Sequence, residues 1–299
     1  MDDLLYELRY KEVAVVANHT SIIAGTHLVD TLLSNGVNLK KVFAPEHGFR
    51  GKADAGHHVK NSRDAKTGLK IISLYGRNKK PSYDHLADVD VVVFDIQDVG
   101  VRFYTYISTM HYVMEACAEM EKQVIILDRP NPNGFYVDGP VLQMEQQSFV
   151  GMHPIPLVHG LTVGELAHMI NGEGWLAGGL KCNLKVFTCN GYRHDMKYEL
   201  PIPPSPNLPN MASIYLYPSL GLFEGTEVSV GRGTNMPFQQ IGSPYFDGHE
   251  YFFVPKPTKG ARFPKHENEK CYGFDLSSFG KHEMPEMKQV YLHWLDTMH

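Results

Sequence analysis

Short apolar runs alternate with amphipathic stretches through the first 130 residues. Val13–Asn18 is β-branched, Lys40–Pro45 holds Val42 and Phe43, Ile71–Tyr75 is apolar, and Val89–Ile96 is apolar almost throughout. Between them, His27–Asn35 carries apolar residues at helical spacing and stops at Gly36. Tyr104–Met120 reads as a long amphipathic helix, with the run Val124–Leu127 after it. Wholly apolar strands alternating with helices predict a parallel sheet covered on both faces. The expected class is therefore α/β, a Rossmann-like doubly wound sheet.

Past Pro130 the texture changes, and Gly and Pro crowd the chain as far as Gly160. Thr162–Asn171 reads as a helix with Thr162 at the N-cap and Glu165 at the capping-box position. Pro201, Pro203, Pro204, Pro206 and Pro209 predict a rigid extended stretch. The expected division is a Rossmann-like catalytic domain over 1–160 and a smaller α/β domain over 161–299 that lends loops to the cleft.

Composition removes several classes. The chain has 299 residues, 43% of them hydrophobic, which is enough for a full core. Lys and Arg total 28 against 33 for Asp and Glu, with no basic run, so a nucleic-acid partner is not expected. No apolar run reaches the roughly 18 residues of a membrane span. Met1–Glu7 lacks the basic region and cleavage site of a signal peptide. Cys117, Cys182, Cys189 and Cys271 form no CxxC, which argues against a disulfide framework or a zinc site. Full protonation of the 16 histidines would take the charge from −5 to +11. The glycine fingerprint of dinucleotide binding, the P-loop, the GxSxG elbow and HExxH are all missing. No cofactor and no metal is expected.

The polar residues carry the functional signal. Ligands of open parallel sheets bind beyond the carboxyl ends of the strands. There the sequence delivers Asn18 and His19, then Glu46 and His47 with Arg50 close behind, then Tyr75-Gly76-Arg77. Asp95, Gln97 and Asp98 follow, and last Asp128 and Arg129. Any one of these has a structural reading; five strand ends together point to a site. Glu46, between Pro45 and His47, is placed for partial desolvation, which raises a carboxyl pKa and suits general acid work. Arg102, Tyr104 and Tyr106 add a guanidinium and aromatic faces, the equipment of a carbohydrate site. Further on, Glu224 and Arg232 lie on a Gly-rich loop able to close over this rim.

These motifs occur in a definite order: Asn18-His19-Thr20, Pro45–Gly51 (PEHGFRG), Ser73–Gly76, Phe94–Ser108 (FDIQDVGVRFYTYIS) and Leu127–Pro132 (LDRPNP). His159–Thr162, Gly164–Leu166, Pro204–Asn207 (PSPN), Glu224–Thr226 and Gly231–Thr234 (GRGT) follow. Together they resemble the NamZ-like exo-β-N-acetylmuramidase family of bacterial peptidoglycan hydrolases. The resemblance implies an active site in the cleft between two domains and release of N-acetylmuramic acid from non-reducing ends of glycans. It implies Glu46 as the catalytic glutamate, peptidoglycan fragments as partners, and a periplasmic or secreted location, with cytosolic recycling as the other compartment. Asn207 of the PSPN motif joins the substrate-binding candidates. Two features depart from the family pattern: Val230 and Glu227 in the loop, and Ser277–His299, which predicts an abbreviated second domain.

The expected function is thus a glycoside hydrolase with Glu46 as general acid. The second group is a carboxylate (Asp95, Asp98 or Glu224) or the substrate's 2-acetamido oxygen. Arg102 or Arg232 is expected to read the lactyl carboxylate, and Tyr104 or Tyr106 to stack on the sugar. The alternatives are a metal-dependent hydrolase using His19, His47 and Asp95, and a non-catalytic glycan-binding protein.

Overall fold

The computed structural model describes residues 1–46, 48–50, 62–246 and 248–298. After helix α1 (Asp2–Glu7) come β1 (Glu12–Ala17), a small hairpin of β2 (Ile22–Ile23) and β3 (Thr26–His27), and α2 (Leu28–Ser34). β4 (Asn38–Ala44), β5 (Ser62–Arg63), β6 (Lys70–Ser73), α3 (Tyr83–Leu86), β7 (Val91–Asp95), α4 (Tyr106–Glu119) and β8 (Gln123–Leu127) follow. Then come α5 (Val163–Gly172) and β9 (Asn183–Phe187). These strands form one seven-stranded sheet in the order β5-β6-β4-β1-β7-β8-β9. All neighbours run parallel except β5, which is antiparallel to β6.

The sheet is covered on both faces because its central strands are apolar on both. From β1, Val13, Val15 and Ala17 pack with Leu28, Val29 and Leu32 of α2. The alternate residues Ala14 and Val16 belong to the core that holds Met110, Val113 and Cys117 of α4. Burying each such side chain contributes about 1.5–3 kcal/mol. The last strand, β9, lies beyond residue 160 and reads weakly in sequence, since its five residues are exposed or half-buried at the sheet edge.

α4 starts two residues later than its apolar pattern suggested. Gly100 adopts φ +76°, and a Cβ there would lie 2.3 Å from Asn131 Oδ1. The chain turns at that point, Tyr104 N–H bonding Val101 C=O at 2.9 Å, before the helix begins. α5 carries the expected capping box: Thr162 Oγ1 accepts from Glu165 N–H at 3.2 Å, and Glu165 Oε2 accepts from Thr162 N–H at 2.8 Å.

A smaller layer follows: α6 (Met211–Leu220), then an antiparallel sheet ordered β10-β12-β11, from β10 (Gln240–Ser243), β11 (Phe252–Phe253) and β12 (Cys271–Asp275). The chain closes with α7 (Ser277–His282), α8 (Met284–Met287) and α9 (His293–Thr297). Leu216 of α6, Ile241 of β10 and Trp294 of α9 share one apolar cluster with Val92 of the large sheet. The Pro-rich stretch is not extended throughout. Ser205 and Leu208 close a tight turn, Leu208 N–H to Ser205 C=O at 3.0 Å, with Ser205 Oγ accepting Asn207 N–H at 3.2 Å.

Candidate active site

β4 ends at Ala44, and the chain turns through Pro45 to set Glu46 half-buried at the carboxyl rim of the sheet. Thr105 Oγ1 donates to Glu46 Oε2 at 3.2 Å. The Tyr75 hydroxyl, just past β6, is pushed up in pKa by burial and by the Glu46 carboxylate, to which it hydrogen-bonds. Two strand ends and the start of α4 thus hold one carboxylate.

Glu46 opens into a small cleft of about 70 Å³. Tyr104 and Tyr106 form part of its wall from the large sheet's side, and Asn207, Tyr217, Arg232 and Phe238 from the smaller layer. Tyr104 and Tyr106 stand edge to face at 4.9 Å, and Tyr217 meets Phe103, Tyr104 and Phe238 in the same manner at 5.0, 5.9 and 4.9 Å. Such packing fixes ring orientation. Burial pushes the Tyr217 hydroxyl up; Arg232 opposes this, and Glu224 and Glu46 add to it.

Arg232 is held from two sides. Glu224 takes its Nε at 3.1 Å and its Nη2 at 2.8 Å, while the guanidinium lies over the Phe238 ring at 4.9 Å. The bidentate pair takes up Nε and Nη2 and leaves Nη1 outside it.

The structure brings Glu46, Tyr104, Tyr106, Asn207 and Arg232 together, with Glu224 behind Arg232. The other rim residues do different work. Asp95 is buried, and its Oδ1 accepts from Arg129 Nε at 2.7 Å. Arg129 and Gln97 face a separate crevice beside Thr20, and Gln97 Nε2 ties Asp98 C=O to Pro130 C=O at 2.8 Å each. Asn18 is fully buried, its Oδ1 accepting from Thr20 N–H at 2.8 Å and Thr20 Oγ1 at 2.6 Å. His19 Nε2 meets Pro203 C=O at 2.8 Å. Asp128 serves α5, accepting from Gly164 N–H at 2.8 Å and Thr162 Oγ1 at 2.7 Å.

Two arginines expected at the substrate are anchors instead. Arg102 Nη1 donates to Pro140 C=O and Ile155 C=O, each at 2.6 Å, which fixes the chain after Gly139. Arg50 is gripped by Asp64 and Asp30. His47 lies outside the described residues. Among the described residues no three His, Cys, Asp or Glu side chains gather as a metal set. Sequence reasoning had not singled out Thr105, Tyr217 or Phe238. Thr105 sits inside a recognised motif, whereas Tyr217 and Phe238 carry no local signal.

Asp98 is buried beside this cluster, with Oδ2 accepting Gly100 N–H at 2.7 Å and Oδ1 without a hydrogen bond among the described residues. Burial pushes its carboxyl up to about 7, against the backbone N–H groups of Gly100 and Val99. His159, 3.8 Å away, is held down at about 4 by burial. A raised carboxyl pKa means the folded state keeps a proton that the unfolded chain gives up. Its contribution is present below about pH 4 and is lost as pH rises to about 7. Asp98→Asn is therefore expected to match the wild type in thermal stability at pH 4 and to exceed it by a margin that grows up to pH 7. A margin independent of pH, read by thermal unfolding at both ends, would contradict a desolvated carboxyl.

Two family models match the chain: exo-β-N-acetylmuramidase NamZ, N-terminal, over residues 13–212, and exo-β-N-acetylmuramidase NamZ, C-terminal, over 215–299. The second takes in Ser277–His299, so the expected departure of that tail does not hold. The chain is 41% identical over 294 residues to the peptidoglycan β-N-acetylmuramidase NamZ of Bacillus subtilis (strain 168), covering 92% of this chain and 70% of that protein. Two crystal structures of DUF1343 family proteins from Bacteroides fragilis NCTC 9343 share the fold. The first, at 1.30 Å, superposes with a TM-score of 0.89 and 48% identity over 96% of this chain and 78% of that one. The second, at 1.65 Å, gives 0.81 and 33% over the same shares.

Proposed function

The chain belongs to the NamZ family of exo-β-N-acetylmuramidases, and from that premise we propose that the Glu46 cleft is where it cuts. It is a glycoside hydrolase that releases N-acetylmuramic acid from the non-reducing ends of peptidoglycan-derived glycans. The observation that carries the assignment of the site is the meeting of Glu46 and Arg232 in one aromatic-walled cleft.

Glu46 gives its proton to the glycosidic oxygen as the bond to C1 breaks. Glu224 is bound to Arg232, and Asp95 to Arg129. Those pairings favour the substrate's own 2-acetamido oxygen as the group that attacks C1 from the opposite face. Water then displaces that oxygen from C1 and restores the acetamido group, its proton passing to the Glu46 carboxylate, and the sugar leaves with its configuration retained. The Nη1 edge of Arg232 meets the lactyl carboxylate, the group that separates N-acetylmuramic acid from N-acetylglucosamine. A substrate derived from the wall polymer supports work in the periplasm or outside the cell, with cytosolic recycling of wall fragments as the other compartment.

Wild-type protein is expected to release the chromophore from an aryl β-N-acetylmuramide and to leave the β-N-acetylglucosaminide intact. A charge-assisted hydrogen bond is worth about 1.5–3 kcal/mol, so Arg232→Met should lower kcat/KM on the muramide about tenfold or more. The lactyl methyl ester is expected to be a poor substrate for the wild type and to be cleaved equally by both proteins. If the variant still prefers the acid over the ester, Arg232 does not read the carboxylate. If folded wild type binds the muramide without cleaving it, the glycan-binding reading replaces the enzyme.

A further inference from the structure

A second depression adjoins the cleft and shares Arg232 with it. It is an open groove of about 360 Å³ between the segment Val228–Arg232 and the turn Gly260–Lys265. Phe263 lines it with 89% of its surface exposed. Arg262 and Lys265 give the same wall positive charge.

The turn is bolted to the catalytic cleft rather than hung beside it. Thr258 and Ala261 exchange backbone hydrogen bonds at 2.9 and 3.1 Å. Gly260 C=O accepts from Nδ2 of Asn207, a cleft residue, at 2.9 Å. Lys256 N–H bonds Gly233 C=O at 2.8 Å, directly after Arg232. Gly233 holds φ +82°, and a Cβ there would fall 2.6 Å from Pro264 Cβ, so only glycine lets the two segments lie this close. Lys265 Nζ donates to Val228 C=O at 3.2 Å and to Thr226 C=O, closing the groove's floor.

An exo-acting hydrolase needs a small chamber for the terminal sugar and an open path for the rest of the chain. The cleft and the groove differ in that way and meet at Arg232. We propose that this groove holds the glycan that leaves, with Phe263 as the platform under the N-acetylhexosamine next to the scissile bond. Sugars present C–H faces to aromatic rings, and an exposed Phe at the mouth of a polar cleft offers such a face. The positive wall suits a glycan whose every second sugar carries a carboxylate. The proposal rests on the Glu46 cleft taking the terminal sugar.

The test is binding of peptide-free N-acetylmuramyl-N-acetylglucosamine disaccharide and tetrasaccharide to Glu46→Gln, compared with Glu46→Gln/Phe263→Ala. Free N-acetylmuramic acid is the control. The double variant is expected to bind both glycans three- to tenfold more weakly and the monosaccharide equally well, and Phe263→Trp in the same background should restore glycan binding. Equal weakening for all three ligands, or for none, overturns the groove assignment. Because binding is read without turnover, an absence of hydrolysis in the wild type would count against the enzyme reading alone.

Discussion

Glu46→Gln is expected to lower kcat/KM on an N-acetylmuramyl glycan by about a thousandfold, within the range for removal of a general acid. The exchange keeps the shape of the side chain and an oxygen able to accept from Thr105 Oγ1 and Tyr75, so thermal stability should change little. The size of the loss should depend on the leaving group. A disaccharide leaves as a sugar alkoxide and needs the proton, whereas an aryl muramide leaves as a stabilised phenolate and needs it less. The variant is therefore expected to retain much more activity on the aryl substrate than on the disaccharide. Equal losses on the two would mean that Glu46 does not protonate the leaving oxygen. An unchanged rate on both would remove it from the chemistry and reopen the question of which carboxylate the cleft uses.

Glu46 stands out in the sequence by its place at a strand end and by the resemblance of its PEHG motif, and the structure shows what position leaves unread in its neighbours. Strand ends were legible because β1, β4, β6, β7 and β8 are apolar runs cut off by polar residues. The capping box of α5 was legible because Thr162 and Glu165 stand three residues apart. What a polar residue does at the rim was not. The same rim that binds a ligand also leaves backbone groups to be satisfied, and the side chains suited to either task are the same. Asp128 caps α5, Gln97 joins two carbonyls, and Arg102 ties two loops. Apart from Asp98, the residue next to Gln97, their partners lie 33 to 53 residues away in the chain, out of reach of any local pattern. Tyr217 and Phe238 enter the cleft from α6 and the GRGT loop's far side, where only tertiary packing places them. The boundary near residue 160 followed a rise in Gly and Pro. The sheet nonetheless draws β9 from beyond that point, since an edge strand needs little apolar content.

Arg50 separates the two kinds of rim residue by experiment. Its Nε donates to Asp64 Oδ1 at 2.9 Å, and its Nη2 to Asp64 Oδ2 at 2.8 Å and to Asp30 Oδ1 at 3.2 Å. The guanidinium also lies 4.7 Å from the centre of the Phe49 ring. Asp64 is buried, and the Arg50 hydrogen bonds hold its carboxyl well below the usual range, with Thr67 adding to the effect. Removing the cation leaves that charge with the two Thr67 hydrogen bonds and no opposite charge bonded to it among the described residues. Arg50→Met, which keeps the apolar stem, is expected to destabilise the fold by about 3 kcal/mol. In a chain of this size that is a fall of about 5–10 °C in Tm. The pH dependence has a definite sign. A depressed carboxyl pKa contributes stability above the unfolded value near 4, and that contribution fades as the carboxyl is protonated below it. The deficit of the variant should therefore be full at pH 7 and shrink as pH falls below about 4. KM for the muramide should move little in the molecules that remain folded. A raised KM with an unchanged Tm is the contrary result, and it would return Arg50 to the substrate.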